Sequence, residues 1–212
     1  MSKSDLATPE LAAVEVEGMT RSAFMVRGAL AAGAAYGAGA VAPFVGKAFA
    51  QGGGDVEIAN FALTLEFLEA AFYTQAVKQV KGMSRDVKEL AEQLESDETE
   101  HVDALTALIK KSGGKPVAQP KVDFGDAFSS ESSFLKLAGT FEETGVGAYN
   151  GAAPKIKSKE VLNAAGSIVQ IEGRHVALIN LKRGASITPE GAFSTPLRQG
   201  EVLKAVKPFV KS

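Results

Sequence analysis

The chain has 212 residues, of which 45% are hydrophobic and 23% are charged, and its formal net charge is −2. These values are ordinary for a packed globular protein and exclude a disordered one, which has few apolar residues and a large charge imbalance. With 23 basic against 25 acidic residues, no excess of positive charge points to nucleic acid as a partner. Because the chain has no cysteine, disulfides, thiolate catalysis and cysteine-ligated metal centres are excluded. Any bound metal must therefore have oxygen and nitrogen ligands.

Residues 1–50 form a segment distinct from the rest of the chain. Residues 1–19 are polar, Arg21 follows, an apolar run rich in alanine and glycine covers 28–45, and Ala48-Phe49-Ala50 offers small residues where a signal peptidase cuts. This order is typical of a secretory leader. We therefore predict cleavage after Ala50 and export to the periplasm or another extracytoplasmic space.

Two further features bear on how this segment acts. Arg21 followed by Phe24-Met25 resembles a twin-arginine leader, with Ser22 in place of the second arginine; the resemblance implies export in the folded state. The alternatives are a soluble helix and an uncleaved anchor, since about 18 residues just span a bilayer core. Contact with a membrane is expected only for the anchor.

Four later segments have the 3.6-residue apolar period of helices that face a core, as in Phe61, Leu65, Leu68 and Phe72. Capping residues and glycines predict where these helices begin and end. The first runs from an N-cap at Asp55 to a stop at Gly82, the second from Ser84 to 112–114, the third from Ser129 or Ser130 to a point before Pro154, and the fourth from Ser158 to Lys182-Arg183-Gly184.

The lengths of the connections indicate how these helices are arranged. Helices one and two are joined by a few residues, as are three and four, so each pair is predicted to be an antiparallel hairpin. About eighteen residues, including Pro116 and Pro120, join the two pairs, which is enough to cross the bundle lengthwise. We predict an all-α four-helix bundle over 55–184, with two hairpins joined by a long crossover. A tail follows at 185–212, with a short helix around 201–206.

Polar residues interrupt the apolar face of the second and fourth helices. At about 100° per residue, Glu98 and His101 point to the core side of the second helix, and Glu172 and His175 do the same on the fourth. Both histidines of the chain thus follow a glutamate by three residues. One such pair is more often an exposed charge pair than a ligand pair, but two inward pairs indicate a metal site.

The other two helices each add an inward glutamate followed, seven residues later, by a tyrosine. Glu66 precedes Tyr73 in this way, and Glu142 precedes Tyr149. The two hairpins therefore carry the same chemistry, which amounts to a weak internal repeat.

Electrostatics predict what these residues bind. Four buried, uncompensated carboxylates would each cost several kcal/mol, against a net stability of about 5–15 kcal/mol. Two divalent cations neutralise four glutamates, and neutral imidazoles add no charge. Oxygen and imidazole ligands suit iron or manganese, with zinc the weaker candidate. The sequence thus predicts two divalent metal ions, bound by Glu66, Glu98, His101, Glu142, Glu172 and His175.

Residues 65–73, with a glutamate followed by a tyrosine seven positions later, resemble the ferritin-like superfamily, in particular a bacterial branch labelled ferritin-like domain or desiccation-related. The resemblance covers about 56–183 and implies the ferritin-like topology. It also implies a role for each ligand: terminal for Glu66, bridging for Glu98 and Glu172, capping for His101 and His175, and closing the second site for Glu142.

Three further acidic residues lie close to the predicted ligands in the sequence. Glu69 points inward and corresponds to Gly145 of the third helix; it is either an extra ligand, as in rubrerythrins, or a neighbour of the ligands. Asp97 and Glu100 lie nearer the edge of the bundle, and we predict that solvent surrounds both.

The sequence is compatible with two functions. One is an oxidoreductase of the ferroxidase or peroxidase type, which oxidises Fe(II) or consumes O2 or H2O2. Its catalytic residues would be Glu98, Glu172, Tyr73 and Tyr149, although buried tyrosines with one hydrated end are also common. The other is a non-catalytic metal-binding or desiccation-protection protein whose metal stabilises the bundle. A scaffold without metal is disfavoured by the intact ligand set, and a homodimer is left open.

Overall fold

The computed structural model describes residues 54–211. The leader predicted for 1–50, with Arg21 and the Ala48-Phe49-Ala50 cleavage site, lies outside them. The described residues form five α-helices, three 3-10 turns and one pair of two-residue strands. The helices are α1 (Asp55–Gln79), α2 (Arg85–Lys111), α3 (Glu131–Ala152), α4 (Lys159–Lys182) and α5 (Gln199–Val206), and the strands are β1 (Lys121–Val122) and β2 (Val210–Lys211).

The helices pack as two antiparallel hairpins. α1 packs most extensively against α2, and α3 against α4, while α1 also contacts α3 and α2 contacts α4. The predicted all-α bundle of two hairpins and a long crossover is confirmed. Among residues 54–211, no helix combines the length and the apolar character needed to cross a membrane.

Serine side chains cap two of the helices as predicted. The Ser130 hydroxyl accepts a hydrogen bond from the backbone N–H of Ser133, and the Ser133 hydroxyl accepts one from the backbone N–H of Ser130. The two bonds form a capping box. The Ser158 hydroxyl accepts the N–H of Val161 at the start of α4. Each bond satisfies one of the unpaired N–H groups that begin a helix.

Asp55 was predicted to be an N-cap, and this is wrong. Gly54 occupies that position and Asp55 is the first helical residue. Its carboxylate instead accepts the backbone N–H groups of Lys157 (2.8 Å) and Ser158 (2.6 Å). The side chain therefore joins the start of α1 to the turn between α3 and α4, a tertiary contact that local sequence does not encode.

Side chains of α1 hold the crossover against the bundle. The Asn60 amide donates to the Lys115 carbonyl (3.2 Å) and accepts the Val117 N–H (2.8 Å). Further along, the ring of Phe124 packs edge-on against Phe72, with 5.1 Å between centroids. These contacts keep the long connection against the bundle.

The tail returns to the crossover. β2 pairs with β1 in antiparallel register, with Lys121 opposite Lys211 and Val122 opposite Val210. No strand was predicted here, because two residues are too short to show an alternating pattern. The short helix predicted at 201–206 is present and begins two residues earlier, at Gln199.

Two apolar clusters fill the bundle and leave a gap between them. On α2, the first cluster ends at Leu94 and the second begins at Leu105. On α4, the second cluster ends at Ile168 and the first resumes at Ile179. The interval on each of these two helices contains its Glu-x-x-His pair, so both pairs lie in a polar layer between the two clusters.

Candidate metal centre

The six predicted ligands converge in this layer. The four glutamates are fully buried, and His101 and His175 are 8% and 2% exposed. They form two groups of four, in each of which the potential ligand atoms lie within 4.8 Å of one another. The His101 group is Glu66, Glu98, His101 and Glu172, and the His175 group is Glu98, Glu142, Glu172 and His175. Glu98 and Glu172 belong to both groups, and the bridging role that the resemblance implies for them stays a prediction.

The distances around His101 are those expected between ligands of one ion. Its Nδ1 lies 3.2 Å from an oxygen of Glu66, 3.1 Å from one of Glu98 and 3.1 Å from one of Glu172. A single N–H cannot be directed at three acceptors at once. Ligand atoms about 2.1 Å from an ion and at right angles to each other lie about 3.0 Å apart. The arrangement therefore matches a coordination sphere better than a hydrogen-bond network.

The His175 group repeats this geometry. Nδ1 of His175 lies 3.0 Å from Glu98, 3.2 Å from Glu142 and 3.8 Å from Glu172. The same ring nitrogen faces the ligands in both histidines, and the ring centroids are 6.2 Å apart. The structure thus brings the ligands of two positions together around a shared pair of glutamates.

The tyrosines contact the site crosswise. Tyr73 of α1 donates to Oε1 of Glu142 on α3, and Tyr149 of α3 donates to Oε1 of Glu66 on α1, both at 2.5 Å. Burial, together with the adjacent glutamate, raises the pKa of each tyrosine well above its ordinary value. Both hydroxyls therefore keep their protons and fix one oxygen of each glutamate, while the other oxygen faces the histidine.

Several buried carboxylate oxygens of the site lack a directed hydrogen bond. Among residues 54–211, both oxygens of Glu172, Oε1 of Glu98 and Oε2 of Glu69 are buried and accept no well-directed hydrogen bond. A histidine Nδ1 lies 3.0 Å from Oε1 of Glu98 and 3.1 Å from Oε1 of Glu172, but neither contact has hydrogen-bond geometry. Such groups are rare in folded proteins because each costs free energy. Three of these four atoms belong to the two shared glutamates, where a pair of cations would satisfy them. The donor set therefore fits two divalent metal ions.

Without metal, protons compensate part of the charge. Burial raises the pKa of Glu66 to about 8 and that of Glu172 well above its ordinary value. Burial opposes ionisation of Glu98 too, but contacts with both histidines outweigh it and lower that pKa to about 2. Burial opposes charging of the histidines, yet their glutamate partners raise the pKa of His101 to about 12 and that of His175 to about 11. Metal binding must therefore displace protons.

The environment of Asp97 differs from the prediction. Its Oδ2 lies 3.2 Å from Nε2 of His175, and its side chain is only 28% exposed. Solvent was predicted because Asp97 points away from the apolar face of α2, but α4 packs on that side. Glu100 is exposed as predicted. A carboxylate at the far nitrogen of a ligand histidine fixes the orientation of the ring.

Glu69 is a fifth buried carboxylate beside the centre, 2% exposed. A Cβ placed on Gly145 would lie 3.2 Å from Oε1 of Glu69 and 3.7 Å from Oε2 of Glu172. Gly145, the counterpart of Glu69 in the other hairpin, therefore makes room for the Glu69 side chain. Burial and then Glu172 raise the pKa of Glu69. Glu69 lies outside both four-residue groups, and its role as an extra ligand stays a prediction.

A family model for the ferritin-like domain matches residues 54–185. The match covers more than half of the chain, all four long helices and every residue of both groups. The chain belongs to the ferritin-like family. No curated protein is similar enough to the chain to count as a match. The buried glutamates and histidines of this ferritin-like domain are compatible with divalent metal binding, and its assignment to the desiccation-related branch stays a prediction.

Proposed function

We propose that the ferritin-like domain binds two Fe or Mn ions and acts as an oxidoreductase of the ferroxidase or peroxidase type. When bound, two Fe(II) ions would supply the two electrons that, with two protons, reduce one H2O2 to two waters. The protein supplies a buried layer in which four glutamates balance the charge of two divalent ions. Apolar clusters on both sides exclude water, and this exclusion strengthens the electrostatic interactions in the layer.

The presence of Glu69 favours a redox function over a structural one. Four glutamates already neutralise two divalent ions, so Glu69 is a surplus buried carboxylate. Because burial raises the pKa of Glu69, a purely structural site would keep this carboxyl protonated and gain no charge from it. A redox site would gain, because oxidation of bound metal would add positive charge that an ionised Glu69 offsets. The space beside Gly145 supplies the position from which Glu69 offsets that charge.

The other side chains have distinct roles in this proposal. Glu98 and Glu172 belong to both groups and would bind both ions, and their negative charge would offset positive charge on the metals. Tyr73 and Tyr149 keep Glu142 and Glu66 oriented through their hydrogen bonds. The hydroxyl protons are also the nearest ones to those glutamates, which supports the catalytic role predicted for both tyrosines.

The test is Fe(II) oxidation under stopped flow after anaerobic loading, with O2 or H2O2 as oxidant. Wild type is expected to oxidise Fe(II) faster than buffer does, and Glu98→Ala to slow this greatly. Glu69→Gln is expected to retain both metals and to slow oxidation about 10–100-fold, whereas Glu100→Gln, which removes an exposed charge from α2, leaves the rate unchanged. If the wild-type rate equals that of free Fe(II), the metal is structural and the non-catalytic alternative is correct.

We propose in addition that the protein is exported, with Gln51 as its mature N-terminus. The order of polar segment, Arg21, apolar run and Ala48-Phe49-Ala50 supports this. Because the ligands come from four helices, the metal centre exists only after folding, which suits a route that carries folded cargo. N-terminal sequencing of native protein from cell fractions is the test. Full-length protein in the cytosol refutes export, and full-length protein in membranes supports the anchor.

A further inference from the structure

We propose that the two metal positions are inequivalent. The position in the His175 group binds a divalent cation more tightly and fills first, and the position in the His101 group is the exchangeable one. This inference rests on the metal centre of the proposed function but not on its redox activity.

The first observation is the support of His175. Asp97 contacts Nε2 of this ring at 3.2 Å while Nδ1 faces the ligands. The ring is therefore held at both nitrogens, and the carboxylate keeps a proton on Nε2 when Nδ1 is the ligating nitrogen. A ligand that is already oriented loses less conformational freedom on binding metal, and a carboxylate partner makes its ligating nitrogen more basic.

The second observation is that His101 lacks this support. Asp97 directly precedes Glu98 on α2, whereas the residue that directly precedes Glu172 on α4 is Ile171. Within 54–211, no side chain forms a hydrogen bond with Nε2 of His101. The His101 side chain is also 11% exposed, against 3% for His175, so this ring is the one nearer to solvent.

The remaining parts of the two positions match each other. Each position has one terminal glutamate held by a tyrosine hydrogen bond of 2.5 Å, and both share Glu98 and Glu172. The difference between the positions therefore lies in Asp97, which acts as a positioning residue through His175.

The experiment is an anaerobic titration with Mn(II), in which the electron paramagnetic resonance signal of free Mn(II) reports the unbound ion. Wild type is expected to bind two ions in two resolved steps. His101→Ala should keep the tight step, and His175→Ala should lose it. Asp97→Asn should weaken the tight step about 10–100-fold, while the matched control Glu100→Gln, also a charge removal on α2, leaves both steps unchanged.

A variant that is expected to gain metal affinity provides an independent test. Ile171→Asp places a carboxylate at the position that corresponds to Asp97 and should tighten the weak step only. Two wild-type steps of equal affinity would overturn the proposal, as would equal weakening of both steps by Asp97→Asn or the same effect from Glu100→Gln. Two-step binding without accelerated Fe(II) oxidation would leave this inference standing and contradict only the redox function.

Discussion

Removing metal is expected to lower the melting temperature, and the loss is expected to grow as pH rises from 5 to 8. Each ion present at a thousandfold excess over its Kd adds about 4 kcal/mol, which corresponds to roughly 10 °C for a domain of this size. The stabilisation arises because the cations bind only to the folded site, where they replace the protons that compensate the buried carboxylates. Thermal unfolding followed by circular dichroism, with Mn(II) or with a chelator, measures the difference.

The direction of the pH effect follows from Glu66. Its pKa is raised from 4.5 to about 8, so the folded protein keeps a proton that the unfolded chain has already lost. The stability that this proton contributes is fully present below pH 4.5 and is lost as pH rises through about 8. His101 and His175, whose pKa values are also raised, lose their contribution in the same direction above pH 6.5.

Glu98 does not contribute to this pH dependence of stability. Its pKa is lowered to about 2, so its contribution is complete above pH 4.5 and constant over the tested range. Metal replaces the protons of the other groups, and its affinity increases with pH. Identical melting curves with and without metal at pH 5, 6.5 and 8 would instead indicate a scaffold that binds no metal.

The second large effect concerns the shared ligands. Glu172→Ala is expected to abolish binding at both positions, because Glu172 belongs to both groups and its removal leaves three carboxylates for four positive charges. His101→Ala and His175→Ala are each expected to remove roughly one ion, because each histidine serves one position. Metal content per chain, measured by mass spectrometry after gel filtration, distinguishes these results.

The control for this series is Glu100→Gln, which should retain the wild-type content. If Glu172→Ala lost only one ion, Glu172 would be a terminal ligand rather than a bridging one. If it lost none, the buried cluster would not be the binding site.

Periodicity predicted the part of the structure that each helix encodes on its own. The inward angles of Glu98 and His101 follow from α2 alone, and the lengths of the connections limited how the hairpins pair. Glu69 and Gly145 were found by comparing equivalent positions of the two hairpins. These features depend on spacing along one helix, which the sequence displays directly.

Contacts between helices were not predictable in this way. The sequence places each tyrosine on the same face as the glutamate of its own helix, and it does not indicate that Tyr73 hydrogen-bonds to Glu142 and Tyr149 to Glu66. Asp97 was assigned to solvent because its partner, His175, is 78 residues away. Asp55 was assigned to a cap for the same reason. Each case depends on which face of a distant helix packs nearby, and local pattern carries no information on that.

The central claim, that this buried layer is a two-metal centre, is tested most directly by metal content. Protein loaded anaerobically with Fe(II) or Mn(II) and freed of excess ion is expected to contain about two metal ions per chain. A value near zero in metal-replete protein would contradict the claim, because the glutamates and histidines would then neutralise each other through protons alone.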